Sequence, residues 1–151
     1  MKTDRKIIEK ELKEQVVPYL RESGFKGSFP DFYREKDGFV SLVNFQFYSS
    51  GGSFCINISY AEPSRDNVSF RSETAVKNLK VSQTKERARL GADYLKGDNW
   101  FSFGKTSYGE YRGAPASVGE MAPNIISLFK NQAEPWWQLK CGNQKLTNAA
   151  T

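Results

Sequence analysis

The stretch FPDFYREKDGFVSLVNFQFYSSGGSFCINISY, Phe29 to Tyr60, decides the fold of this chain. Within it, Asp37-Gly38 separates two runs rich in aromatic and β-branched residues. A two-residue hairpin turn needs positive φ at both central positions, which Asp-Gly tolerates. That turn pairs Lys36 with Phe39, Arg34 with Ser41 and Phe32 with Val43. A second turn falls in Ser49-Ser50-Gly51-Gly52. A two-residue loop there pairs Phe47 with Ile56; a four-residue loop pairs Phe47 with Phe54. The two registers differ by an even step, so side chains keep their faces in both. One face carries Phe32, Val43, Phe45, Phe47, Phe54, Ile56, Ile58 and Tyr60 and reads as the core. The other carries Leu42, Asn44, Gln46, Tyr48, Cys55, Asn57 and Ser59.

Flanking segments supply the cover. Ile8, Leu12, Val16 and Leu20 recur at every fourth residue and predict a helix over roughly Thr3 to Ser23. Pro18 should kink it, and Gly24 should end it in the left-handed conformation. Glu9 and Lys13 stand at i,i+4 spacing for an ion pair. Met121, Ile125, Leu128 and Phe129 predict a second amphipathic helix, preceded by Ser117 and Glu120 at capping-box spacing. A short last helix is expected from Glu134-Pro135-Trp136-Trp137. Trp100-Phe101-Ser102-Phe103 reads as a further strand, with one of Trp100 and Phe101 in the core and the other outside it. Residues 63–86 show no strand signal and suggest an excursion or a short helix around Glu73–Leu79. The expected fold is α+β: an antiparallel meander sheet of four to five strands with N- and C-terminal helices packed on one face. Residues 1–141 read as one domain and the polar tail 142–151 as a segment that frays.

Composition narrows the chemistry. The chain has 151 residues, 14% of them aromatic, and no histidine. Without histidine, the commonest general base and the commonest metal ligand are missing. Cys55 and Cys141 do not form a CxxC and read as free structural thiols. No phosphate-loop motif precedes a helix. No cofactor and no metal site are expected. The charged N-terminus lacks an apolar leader, and no apolar run is long enough to span a bilayer, so a cytoplasmic protein without membrane contact is expected. The net charge is +5, and Arg65 to Arg89 carries seven basic residues against three acidic ones.

The order of several short pieces resembles an uncharacterised bacterial family known as domain of unknown function 4304. These pieces are Pro18-Tyr19-Leu20, Gly24-Phe25, Phe32-Tyr33-Arg34, Val43-Asn44-Phe45-Gln46, Ile56-Asn57-Ile58, Arg89-Leu90-Gly91 and the aromatic doublet Trp100-Phe101. The resemblance implies a small α+β domain. It brings no activity and no catalytic residues.

The candidate site is the amide-rich face: Asn44, Gln46 and Asn57, with Ser59 and Tyr48. Asn is a poor strand former, so two Asn and a Gln in mid-strand ask for an explanation. A row of neutral donors and acceptors suits a peptide edge, a sugar or a nucleobase; a polar face turned to water is the ordinary alternative. Arg87 and Arg89 join the candidate set, and with Arg34 they could converge on an anion. Arg34 could instead pair with Asp31 or Glu120. The leading expectation is a non-enzymatic binding or interaction protein with an unknown protein partner, of which an immunity-type protein is one form. Second is a nucleic-acid-associated protein using residues 65–89. Third is a carboxylate-dependent enzyme. Burial of the amide face beneath the 65–89 segment would make the three amides structural.

Overall fold

A computed structural model of the chain describes residues 5–62 and 76–149, with the side chains of 118 and 143–149 left outside the description. Among the described residues, seven strands form one mostly antiparallel sheet: β1 (Lys26–Ser28), β2 (Asp31–Lys36), β3 (Phe39–Phe47), β4 (Ser53–Ala61), β5 (Arg87–Arg89), β6 (Phe101–Ser102) and β7 (Ala114–Pro115). Strands β1 to β4 form the expected meander. Asp37 and Gly38 both have positive φ, at 53° and 81°. They set the β2–β3 register predicted from the Asp-Gly turn, with Lys36 opposite Phe39. The second turn takes the four-residue form, because Phe47 lies opposite Phe54. The outer edge of β4 is shared: β5 pairs with its middle and β6 with its start. The strand count exceeds four to five because β1, β5, β6 and β7 are only two or three residues long, too short to alternate visibly in sequence.

Two helical arms cover the core face. The first runs through α1 (Arg5–Glu11), a π turn (Leu12–Val16) and α2 (Val17–Glu22). The second runs through α3 (Val118–Leu128), a π turn (Phe129–Ala133) and α4 (Glu134–Ala149). Both arms bury a strictly four-residue stripe. Ile8, Leu12, Val16 and Leu20 are at most 1% exposed, and Met121, Ile125, Phe129, Ala133 and Trp137 at most 2%. An α-helix turns by about 100° per residue, so a period of four drifts by about 40° each step. The π turn, with its longer backbone hydrogen bonds, takes up that drift and keeps the stripe on one side. The Val17 N–H bonds to the Leu12 carbonyl, and the Glu134 N–H to the Phe129 carbonyl. A proline follows each at once, Pro18 and Pro135, so the expected kink is a widened turn.

Three local expectations change. Glu9 accepts from Arg5 at 2.7 Å instead of pairing with Lys13, whose ammonium lies 5.5 Å from the Phe29 ring centroid. The Ser117 side chain makes no capping hydrogen bond; its backbone carbonyl accepts from the Glu120 and Met121 N–H groups. Helix α4 continues past residue 141 to Ala149. Gly24 ends the first arm at φ 95°, as the sequence suggests, and the Phe25 N–H bonds back to the Leu20 carbonyl. Of the segment expected around Glu73–Leu79, a 3-10 turn at Val76–Asn78 is described; residues 73–75 lie outside the described part. Among the described residues, no helix is long and apolar enough to cross a membrane.

Candidate functional site

The face opposite the helices divides into zones along β3 and β4. At one end Val40, Leu42 and Ala61 form a second, smaller apolar cluster with Leu79 and Val81. Those two side chains come from the segment that follows the 3-10 turn, and they press it onto the sheet. Ser59 lies in this zone, opposite Leu42. It is fully buried and its hydroxyl has no hydrogen-bond partner among the described residues. Ser59 therefore leaves the candidate set, because Leu79 and Val81 close over its surroundings.

Beyond this cover the face opens. Asp31, Asn44, Asn57 and Arg89 stand directly opposite one another on four adjacent strands, β2, β3, β4 and β5, in a single cross-strand row. Along the row Asn57 donates to Asn44 and Asn44 to Asp31, while Arg89 at the end of the row bonds to Asp98 instead. Lys80 donates to Asp31 at 3.2 Å, and the Asn44 amide donates to the other Asp31 oxygen at 2.9 Å. Asn57 uses both its N–H donors, one on Asn44 at 3.1 Å and one on Gln46 at 3.0 Å. Both Asp31 oxygens accept, from Asn44 and from Lys80, so Asp31 fixes the sense of the relay. The result is that Gln46, an exposed side chain, receives with its carbonyl and keeps its two N–H donors without a partner among the described residues. The Cys55 thiol also points at the Gln46 oxygen, at 3.7 Å. Burial pushes that thiol up to about 11, so it remains protonated at neutral pH.

This row floors an open groove of about 820 Å³. Its walls come from Lys80 and Ser82 on one segment and Leu95 and Lys96 on another. Arg87 and Arg89 line it from β5, where the register places both on the amide side and Ala88 on the core side. Arg87 and Lys96 have no ion-pair partner among the described residues. Arg65 and Arg71, the rest of the basic segment's arginines, lie outside the described residues.

Past the groove, Tyr48 and Trp100 meet edge to face at 5.3 Å. The Arg112 guanidinium lies 4.6 Å from the Trp100 ring centroid and that of Arg89 5.1 Å from it. Asp98 ties the group together: it pairs with Arg89 and accepts from the Trp100 indole N–H at 2.9 Å. Burial by itself would raise the Asp98 carboxyl. The Trp100 bond, the Arg89 charge, the Asn99 backbone N–H and the Arg112 charge outweigh it and hold the group below its ordinary range. Tyr48 thus belongs to a packed arginine–aromatic cluster beside the groove. The core member of the Trp100-Phe101 doublet is Phe101, stacked on Phe54 at 5.2 Å.

Arg34 does not converge with Arg87 and Arg89, since it projects from the core side of the sheet. Its partner is Glu134, at the start of α4, through two bonds of 2.8 and 2.6 Å. Neither Asp31 nor Glu120 takes that role. The guanidinium also packs on Phe25 and Trp137, with centroid distances of 4.6 and 5.3 Å. Sequence reasoning missed Lys80, Asp31 and Lys96 as groove residues. The alternation that puts Asp31 on the amide side was visible in β2, but the approach of Lys80 depends on contacts between distant segments.

The architecture defines an α+β domain whose sheet is sealed by helices on one face and keeps a basic, amide-floored groove on the other. The chain belongs to the family described as domain of unknown function (DUF4304), which matches residues 16–144. No curated protein and no solved structure matches it.

Proposed function

We propose that this domain is a non-enzymatic binding module whose groove takes an anionic ligand rich in hydrogen-bond acceptors. The observation that carries the reading is the sense of the relay on the groove floor. It leaves donors outward at Gln46, beneath a rim where Arg87 and Lys96 have no ion-pair partner among the described residues. Asp31 is the one carboxylate lining the groove among the described residues, and its two oxygens already accept from Asn44 and Lys80. That leaves the groove no free carboxylate to pair for acid–base work. The Cys55 thiol is equally unsuited to act as a nucleophile. An immunity-type protein that masks a partner toxin is one form this role would take.

Titration of the whole chain with a fluorescent polyglutamate and with an oligothymidylate, at low and moderate salt, tests the reading. At least one probe should bind and weaken as salt rises. Replacing Arg87 and Lys96 together by Ser should weaken it about tenfold. Replacing Lys6, an exposed lysine on the helical arm across the sheet, should leave it unchanged. Equal losses from both changes would mean that net charge, and not the groove, attracts the probe.

A further inference from the structure

We infer that the occupant of this groove is an acidic polypeptide segment. Its backbone carbonyls would lie on the Gln46 and Asn44 amides and its carboxylates on Arg87 and Lys96. This rests on the reading of the groove as an anion-binding site.

The available hydrogen-bonding groups define the occupant. On the floor, Asn57 has no N–H left, Asn44 has one and Gln46 has two. These are neutral donors, suited to neutral acceptors such as peptide carbonyls. At the rim, Arg87 and Lys96 are cationic and call for anionic groups. An acidic peptide carries both kinds of acceptor, carbonyls along its backbone and carboxylates at its edges.

Other occupants fit less well. Nucleobase edges present donors as well as acceptors, whereas Asn44, Gln46, Arg87 and Lys96 offer the groove chiefly donors. Single strands also depend on aromatic stacking, and among the described residues no aromatic side chain lines the groove. The neighbouring Trp100 ring already packs against Arg89 and Arg112. Tyr94 is 92% exposed but lies outside the lining. A second copy of this chain would bring a net charge of +5 to a basic rim. An open groove also encloses too little of a small molecule for tight capture.

The test compares three labelled probes on the whole chain by fluorescence anisotropy: a short Glu-rich peptide, its Gln-substituted counterpart and an oligothymidylate of equal charge. The Glu-rich peptide should bind at least tenfold more tightly than either of the others. Gln46→Glu turns the outward donors into acceptors and should weaken that peptide about tenfold. Gln46→Leu should weaken it less, because it removes donors without adding a charge. Gln46 is exposed, so both variants should keep the parent's near-UV spectrum. Tighter binding of the oligothymidylate, lost in Tyr94→Ala, would overturn the inference in favour of nucleic acid while keeping the anion site. Equal binding of the Glu- and Gln-containing peptides would overturn the carboxylate assignment. Failure of both anionic probes to bind would overturn the groove reading and this inference together.

Discussion

On the core face, β3 and β4 bury Val43, Phe45, Phe54, Ile56 and Ile58 beneath two helical arms. On the opposite face the same strands bury Val40, Leu42 and Ala61, then leave Asn44, Gln46 and Asn57 at a groove. The residues alternate one by one along the same backbone, so strand geometry is common to both faces. What differs is the cover. Each helical arm brings an unbroken apolar stripe, whereas the segment over the other face brings Leu79 and Val81. Apart from the buried Ser59, apolar side chains end where that cover ends, and hydrogen-bonding side chains begin. Burying one large apolar side chain contributes about 1.5–3 kcal/mol. One neutral hydrogen bond contributes about 0.5–1.5 kcal/mol net. The first face therefore supplies most of the stability, and the second displays polar groups at little energetic cost.

The sharpest way to break this contrast is to truncate one residue on each side. Phe54→Ala, at a fully buried position, should destabilise the domain by roughly 3–5 kcal/mol in denaturant unfolding. Leu79→Ala, in the smaller cluster, should cost roughly 2 kcal/mol and also weaken any groove ligand, because it loosens the segment that positions Lys80. Equal costs at the two positions would mean that the covering segment is part of the main core. The smallest effect concerns Asp98. Its carboxyl is held below the ordinary value of 3.8, so its contribution to stability is complete above that pH. The contribution disappears as pH falls through the lower folded value. A tryptophan-fluorescence titration should show a shallow acid step from Trp100, and Asp98→Asn should remove it. An unchanged step would place the titration at Glu86 instead. Burial acts to raise the Glu86 carboxyl, but bonds from Lys140 and Tyr60 and the Lys140 charge hold it low.

Much of this contrast is legible in the sequence, because a hairpin's register and a strand's parity are local properties. Asp37-Gly38 set one register, and an even-step ambiguity could not move Asn44, Gln46 or Asn57 off their face. The placement of Arg87 and Arg89 beside Asn57 needed the β4–β5 pairing, which three residues cannot announce. The burial of Ser59 depended on Leu79 and Val81, two apolar residues in a polar stretch without a clear period. The Arg34–Glu134 pair joins positions 100 residues apart, and no spacing rule connects them. Local patterns were thus readable, while contacts made by irregular segments and distant side chains were not.

The widened turns in the two helical arms bear on how chain length can change by descent. Each amounts to one residue inserted into an otherwise regular helix, followed by a proline. Deleting one residue between Leu12 and Val16 would leave apolar spacings of four, three and four, which a plain α-helix accommodates on one side. Pro18 would then lie within an unwidened helix, where its ring crowds the carbonyl four residues back. A homologue that lacks this proline should therefore tolerate a single-residue gap in the same turn. One that keeps the proline should keep the extra residue.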